Sequence, residues 1–320
     1  MNDQTPLDQT DCKDGKFQDP FLTAKGAMRA SVALTQPSTL WFNTGTLCNI
    51  QCLNCYIESS PKNDALVYLS AEDISLYLDE IARDDWPFRE IAFTGGEPFL
   101  NPQIIEILRR PLEQGFEVLV LTNAMRPMMR KRVQEGLLEL RRSYGEKLTL
   151  RISVDHYMAD AHDAERGKGS FQVTMAGMRW LRDNGFRMAV AGRLAWAETE
   201  AIGRNGFAEL FAAEGFAIDA HDPAMTVLFP EMDGRTDVPE ITTDCWRILN
   251  KSPNDVMCAS SRMVIKRKGA DRPSVVACTL LPYAPEFELG HTLAEASRPV
   301  QLNHPHCATF CVLGGASCSA

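Results

Sequence analysis

Long apolar segments are missing from this 320-residue sequence. No run reaches the roughly 18 apolar residues that a membrane-spanning helix needs. The first twenty residues are polar and contain no apolar stretch of signal-peptide length. We therefore expect no membrane insertion and a cytoplasmic location, where thiols are kept reduced.

Positive charge is also scarce. The chain has 33 Lys and Arg against 42 Asp and Glu, which gives a formal net charge of −9. This balance repels a phosphate backbone, so nucleic-acid binding is not expected. The most basic stretch, residues 125–142, alternates its charges with apolar residues, which is typical of a solvated helix face.

The sequence has no internal repeat of fixed period and no low-complexity tract. Instead, short β-rich runs alternate with longer segments of helical period. The strand candidates are 39–45, 90–95, 116–123, 148–155, 186–194 and 224–230, and the helix candidates lie near 70–84, 101–114, 126–142, 170–184 and 199–214. Alternation of this kind predicts an α/β fold with a parallel sheet and outer helices, a partial (β/α)6 barrel similar to a TIM barrel.

Three regions are expected along the chain. Residues 1–38 form a polar N-terminal arm, and residues 39–230 carry the strand–helix alternation of the barrel. Residues 231–320 begin with a polar, turn-rich linker and continue as a small cysteine-rich module. Because this last region has too little apolar surface for a large core of its own, we expect a metal centre to hold it together.

Cysteine is the residue that stands out, with ten in the chain. Reduced thiols in such number point to metal or redox chemistry rather than to disulfides. The segment TLCNIQCLNCY (46–56), called the cysteine loop below, places Cys48, Cys52 and Cys55 directly after the first predicted strand. Active sites of such barrels lie at the C-terminal ends of the strands, so the thiols are expected on the reactive face.

Three thiols this close together allow three interpretations. Spacings of four and three also place the side chains on one helix face, as in buried core cysteines. A structural zinc site normally needs a fourth ligand. Three thiolates on a 4Fe–4S cluster leave one iron without a protein ligand, free to bind another molecule.

The pattern C-x3-C-x2-C followed by an aromatic residue, here Tyr56, resembles the radical S-adenosylmethionine enzymes. In that family the open iron chelates S-adenosylmethionine, and an electron from the cluster cleaves it to a 5′-deoxyadenosyl radical. The segment FTGGEP (93–98) is similar to the family's Gly-Gly-Glu motif, which hydrogen-bonds the amino group of the cofactor. The resemblance assigns Gly95, Gly96 and Glu97 to that role.

Other cofactor contacts follow from the resemblance alone. Polar residues at the ends of the third, fourth and fifth predicted strands match positions that the family uses against the cofactor. These are Asn123, Ser153, Asp155 and Arg193. Each is equally consistent with a structural polar residue at a strand end.

Six of the ten cysteines lie between positions 245 and 320. Their order resembles the twitch and SPASM extensions of radical S-adenosylmethionine enzymes, which bind auxiliary 4Fe–4S clusters. The spacing departs from the full seven-cysteine pattern, so one auxiliary cluster is expected, with Cys258 and Cys278 among its ligands. The other ligands are either Cys307 with Cys311 or Cys318 with Cys245, and zinc is the alternative metal.

The resemblance implies an enzyme that takes a hydrogen atom from a small molecule or a short peptide and oxidises it with help from the auxiliary cluster. A peptide maturase and a redox-neutral rearrangement enzyme are alternatives, and so is a non-catalytic metal-binding scaffold or redox sensor. The implied electron donor is a flavodoxin or a ferredoxin. A scaffold would need no site for a cofactor amine, so the Gly-Gly-Glu motif favours the enzyme.

Overall fold

The barrel strands follow the predicted order. A computed structural model describes residues 15–194, 198–230 and 237–315. Six parallel strands occupy the predicted positions: β2 (Thr39–Asn43), β3 (Glu90–Thr94), β4 (Glu117–Thr122), β5 (Leu148–Ser153), β6 (Arg187–Leu194) and β7 (Thr226–Pro230). Each pairs in parallel with the next along the chain, so the expected partial barrel is confirmed.

Helices follow the strands on the outside of the sheet. Five correspond to predicted segments: α1 (Ala71–Arg83), α2 (Ile104–Glu113), α3 (Lys131–Tyr144), α5 (Ser170–Asp183) and α6 (Glu200–Glu214). Helix α1 begins after a capping box between Ser70 and Asp73. Gly115 and Gly185, which follow α2 and α5, have positive φ angles of 90° and 69°, and this conformation ends a helix most readily at glycine.

One helix between the barrel strands was not predicted. Helix α4 (Ala159–Arg166) lies in the connection after β5, where the sequence analysis placed no helix. It is short and polar, with His162 and Glu165 as its buried residues, so its apolar periodicity is weak. This helix contributes directly to the candidate site described below.

The C-terminal region shares the barrel's sheet. Strand β8 (Ser261–Ile265) pairs in parallel with β2, on the side opposite β3. Strands β9 (Ser274–Val276) and β10 (Glu288–Gly290) extend the sheet with antiparallel pairing. All five residues of β8 are buried, so these strands extend the barrel core rather than form a separate one. The boundary proposed near residue 231 stays a prediction.

Short elements complete the C-terminal region and bind the N-terminal arm to it. They are β1 (Ser31–Val32), α7 (Cys245–Ile248), α8 (Leu293–Ala296), β11 (Val300–Gln301) and a π-helix (Cys307–Leu313). Strand β1 pairs with β11, and the buried Arg29 forms an ion pair of 2.6 Å with Glu240. No helix in the described ranges combines the length and apolarity that crossing a membrane requires.

Candidate functional site

The cysteine loop leaves β2 at the C-terminal edge of the sheet and forms turns rather than a helix. Its three thiols therefore do not lie on one helix face, which removes the interpretation as core cysteines of a helix. Cys48 is buried, and Cys52 and Cys55 are half-buried. None of the eight cysteines in the described ranges forms a disulfide.

The Gly-Gly-Glu motif packs against the start of this loop. The amide of Gly96 donates to the carbonyl of Gly45 at 2.8 Å, and the amide of Glu97 donates to the carbonyl of Leu47 at 3.1 Å. A Cβ atom on Gly96 would lie 2.2 Å from the carbonyl oxygen of Leu47, and one on Gly95 would lie 2.6 Å from that of Gly45. Only glycine permits so close an approach, so the two motifs fix each other's position.

The Glu97 side chain is buried within a set of protein donors. One carboxylate oxygen accepts from Thr122 Oγ1 at 2.9 Å and from the amide of Phe99 at 3.1 Å. The other accepts from the amide of Asn123 at 2.9 Å. Burial raises the pKa of Glu97 to about 7, against the lowering effect of these hydrogen bonds. A cationic amine beside Glu97 would favour its charged form.

Asn123 links Glu97 to the cysteine loop. Its side-chain amide donates to Asn49 Oδ1 at 2.9 Å and lies 3.9 Å from the sulfur of Cys48. Its side-chain oxygen accepts from the amide of Met125 at 3.0 Å. Asn123 therefore positions the loop within the protein, and its predicted contact with the cofactor stays a prediction.

We expect Glu97→Gln to weaken S-adenosylmethionine binding while the iron–sulfur absorption spectrum is unchanged. Loss of one charge-assisted hydrogen bond costs about 1.5–3 kcal/mol, or roughly ten- to a hundredfold in affinity. Calorimetric titration of the reconstituted protein measures this effect. Thr122→Val is the matched control, because it removes a neighbour of the same carboxylate and keeps the charge. Equal affinities in wild type and Glu97→Gln would show that the motif serves only as a turn.

Helix α4 holds the middle of the cysteine loop. The carbonyl of Glu165 accepts from the amide of Leu53 at 2.8 Å, and its carboxylate accepts from the Asn54 side chain at 3.0 and 3.1 Å. Burial acts to lower the pKa of Arg166, but Asp155 and, to a smaller extent, the sulfurs of Cys52 and Cys55 raise it overall. Neither Glu165 nor Arg166 was predicted as a site residue. Both lie in the segment HDAERGKGSF (162–171), after the fourth predicted strand, and this polar segment was the sequence feature that could have indicated them.

The carboxylate of Asp155 pairs with the guanidinium groups of two arginines. Arg166 binds it in a bidentate manner, with Nε to Oδ2 at 2.7 Å and Nη2 to Oδ1 at 3.0 Å. Nε of Arg193 lies 3.5 Å from Oδ1 of Asp155. Burial acts to raise the pKa of Asp155, but the two arginines lower it overall. Asp155 therefore anchors cations beside the loop, and a direct contact with the cofactor stays a prediction.

Tyr56 and Arg193 connect the cysteine loop to the last two parallel strands of the barrel, β6 and β7. The Arg193 guanidinium lies 4.6 Å from the centre of the Tyr56 ring and donates to the carbonyl of Asn54. The Tyr56 hydroxyl donates to the carbonyl of Pro230, at the end of β7, at 3.2 Å. Ser153 ends β5 on the same edge of the sheet and is half-buried. The predicted residues thus gather at one edge.

The loop has the donor set that a three-thiolate 4Fe–4S site requires. Burial raises the pKa of Cys48 to about 12 and raises that of Cys52, where Arg166 and Arg193 act in the opposite direction. Cys48 and Cys52 therefore keep their protons without a metal, and iron would displace them. Within the described ranges, no three His, Cys, Asp or Glu side chains are arranged to hold a single metal ion. Cluster ligands bind different irons, so they need not converge on one point.

A second group of cysteines surrounds a small cavity in the C-terminal region. Its lining includes Cys258, Cys278, Cys307 and Cys311, together with His306 and apolar side chains. All four thiols are buried. These four cysteines, called the auxiliary site below, match the first of the two ligand sets left open by the sequence. Cys245 does not line the cavity, and Cys318 lies outside the described residues.

Aromatic side chains connect the two cysteine groups. The Tyr56 ring meets Phe229 of β7 edge-on, with centroids 6.0 Å apart, and Phe229 contacts Phe310 of the π-helix at 5.3 Å. Tyr283, which follows Cys278 in the chain, donates to the carbonyl of Ile57 at 2.8 Å. The auxiliary site is therefore packed directly against the barrel mouth.

Comparison with known proteins identifies the barrel. Residues 42–193 match the family model of the radical SAM superfamily. The chain is 38% identical over 145 residues to the antilisterial bacteriocin subtilosin biosynthesis protein AlbA of Bacillus subtilis, covering 45% of this chain and 30% of that protein. It is 31% identical over 140 residues to an AdoMet-dependent heme synthase of Methanosarcina barkeri, covering 43% and 37%. The chain thus matches about a third of the length of these relatives.

Solved structures share the fold beyond the barrel. Streptococcus suis SuiB, bound to S-adenosylmethionine, superposes with a TM-score of 0.57 at 13% identity, covering 80% of this chain and 63% of SuiB. Together with the three-thiol loop and the Gly-Gly-Glu motif packed against it, the family match shows that residues 42–193 form a radical SAM domain.

Proposed function

We propose that this protein is a radical S-adenosylmethionine enzyme that removes a hydrogen atom from a peptide substrate and oxidises it. The observation that carries the proposal is the packing of Gly95–Glu97 against the cysteine loop. A metal-binding scaffold would need the thiols but not a buried carboxylate held beside them. The family match over residues 42–193 supports the same assignment.

The chain's own residues prepare the site for a cluster and its cofactor. Cys48, Cys52 and Cys55 would hold three irons and leave the fourth open. Glu97 would accept from the amine of S-adenosylmethionine, and Arg166 supplies positive charge beside the thiolates. When bound, the cluster supplies the electron that cleaves S-adenosylmethionine to a hydrogen-abstracting 5′-deoxyadenosyl radical, and a cluster in the auxiliary site supplies an acceptor for one further electron.

A peptide is the favoured substrate class. One relative serves in bacteriocin biosynthesis, and SuiB has been solved bound to its precursor peptide SuiA. A small molecule is the second candidate, since another relative is a heme synthase. The assignment as an oxidoreductase, the cytoplasmic location and a flavodoxin or ferredoxin as electron donor belong to the same proposal.

Anaerobic reconstitution tests the proposal. With dithionite and S-adenosylmethionine, the protein should release 5′-deoxyadenosine, and a short peptide encoded beside its gene should increase the yield. Mass spectrometry of that peptide then identifies the reaction. Loss of two hydrogen atoms indicates oxidation, whereas an unchanged mass with a new chromatographic position indicates rearrangement. A chain that binds iron and sulfide but never forms 5′-deoxyadenosine would support a scaffold.

A further inference from the structure

Arg262 is a fully buried cation in strand β8. None of its side chain is exposed, and it is among the largest buried side chains of the protein. Its guanidinium donates four hydrogen bonds, all of them to main-chain carbonyls. The acceptors are Ala296 at 2.8 Å, Cys258 at 2.6 Å, Ser261 at 2.8 Å and Arg298 at 3.3 Å. These dipoles satisfy the N–H groups but carry no net charge.

The described part of the chain offers Arg262 no carboxylate partner. Arginines elsewhere in the protein pair with acids even near the surface, as Arg267 does with Glu288 at 2.7 Å. Among the residues that the structure describes, no aspartate or glutamate lies within ion-pair distance of Arg262. Burying an unbalanced charge is unfavourable, because water no longer solvates it. The positive charge of Arg262 therefore requires a counter-ion other than an aspartate or glutamate of the described residues.

The groups beside Arg262 that can become anionic are the thiols of the auxiliary site. Nη1 of Arg262 donates to the carbonyl of Cys258 at 2.6 Å, and Cys258 and Cys278 line the cavity of the auxiliary site together. Cys258 is buried in a cavity that is otherwise lined mainly by apolar side chains, and a thiol in such surroundings carries no charge that could balance the guanidinium. Binding of a metal deprotonates coordinating thiols outright and would create negative charge next to Arg262.

We propose that Arg262 is a built-in counter-charge for the metal centre of the auxiliary site, and that it stabilises the more negative, reduced state of that centre. This inference rests on the auxiliary cluster of the proposed function. Arg262 does not reach substrate, so it is a positioning residue. It also fixes the main chain of a ligand, because it holds the carbonyl of Cys258.

The proposal makes the reduction potential depend on Arg262. A nearby positive charge favours addition of an electron, so removing it should make the midpoint potential more negative. We expect Arg262→Met to shift the one-electron equilibrium by about tenfold or more, which corresponds to about 59 mV. Arg262→Lys keeps the charge and should shift it less.

The first experiment is a redox titration followed by electron paramagnetic resonance. The full chain carrying Cys48→Ala, Cys52→Ala and Cys55→Ala retains only the auxiliary site, so its signal is unambiguous. Arg267→Met is the matched control, because it removes a guanidinium that has its own carboxylate, and its midpoint should equal that of the parent. An Arg262→Met midpoint equal to the parent's would overturn the counter-charge proposal while leaving the auxiliary cluster intact. Absence of any cluster in the parent would overturn both.

The second experiment covers the case in which Arg262→Met loads no cluster. Iron and sulfide content is then compared between Arg262→Met and Arg262→Lys on the same background. Lysine keeps the positive charge but cannot reproduce the four hydrogen bonds of the guanidinium. A counter-charge predicts that Arg262→Lys still loads a cluster, whereas a purely structural arginine predicts that it stays as empty as Arg262→Met. An empty Arg262→Lys variant would therefore contradict the proposal.

Discussion

Replacing Cys48, Cys52 or Cys55 singly by alanine should reduce formation of 5′-deoxyadenosine to background. The three thiols lie on one loop at the C-terminal edge of the sheet, packed against the Gly-Gly-Glu motif. A site with three protein ligands has no spare thiolate, so the loss of one leaves the cluster incomplete. The measurement is chromatography of S-adenosylmethionine cleavage products after anaerobic reconstitution.

Cys245→Ala is the matched control for this experiment. Cys245 is a half-buried thiol that accepts from the amide of Thr242 at 3.3 Å and lines neither cysteine group. Its removal changes the cysteine count by the same amount, so cleavage should continue at the parental rate. Parental yield from any of the three loop variants, with normal iron content, would remove the central claim.

The barrel could be predicted because its strands are buried on both faces. Runs such as β2 consist wholly of buried residues, and such runs alternate with helices of clear period and clear end signals, such as Ser70 and Gly115. The place of strand β8 in the barrel sheet could not be predicted in the same way, although residues 261–269 form a short β-like run. It pairs with β2 across more than two hundred residues of sequence, and a parallel pairing of that separation leaves no local signal.

The candidate site was predicted by motif, but its internal contacts were not. The sequence indicated that Glu97 and Asp155 are polar residues at strand ends. It could not indicate that Glu97 already accepts from Thr122 and Asn123, or that Asp155 binds Arg166. These contacts depend on how neighbouring strand ends and a short polar helix meet in space. Side chains assigned to the cofactor therefore also support the loop itself.

The ligands of the auxiliary site could also be predicted only in part from the sequence. Six cysteines in a segment poor in apolar residues indicated a metal centre, but spacing alone left two ligand sets open. The structure brings Cys307 and Cys311 to the cavity of Cys258 and Cys278 by placing them one turn apart on the π-helix. That helix packs against β7 through Phe310, a contact that spacing does not encode.

The chain that lacks Cys48, Cys52 and Cys55 should still bind about four irons and four sulfides, the content of one 4Fe–4S cluster. The reason is the buried cavity lined by four thiols, which is the number of ligands that a 4Fe–4S cluster takes. Iron and sulfide analysis after anaerobic reconstitution measures the content. Adding Cys258→Ala or Cys307→Ala should abolish it and expose the π-helix to proteolysis, because metal bonds would otherwise hold that helix in place.

Cys245→Ala on the same background separates the two ligand sets. If Cys307 and Cys311 complete the site, this variant keeps its iron, whereas a site completed by Cys245 and Cys318 would lose it. Binding of zinc alone, or of no metal, would contradict the auxiliary cluster. The enzyme would then lack an acceptor for the second electron that oxidation of a substrate radical requires. In that case the reaction to test first would be a redox-neutral rearrangement, in which the product radical recovers its hydrogen atom.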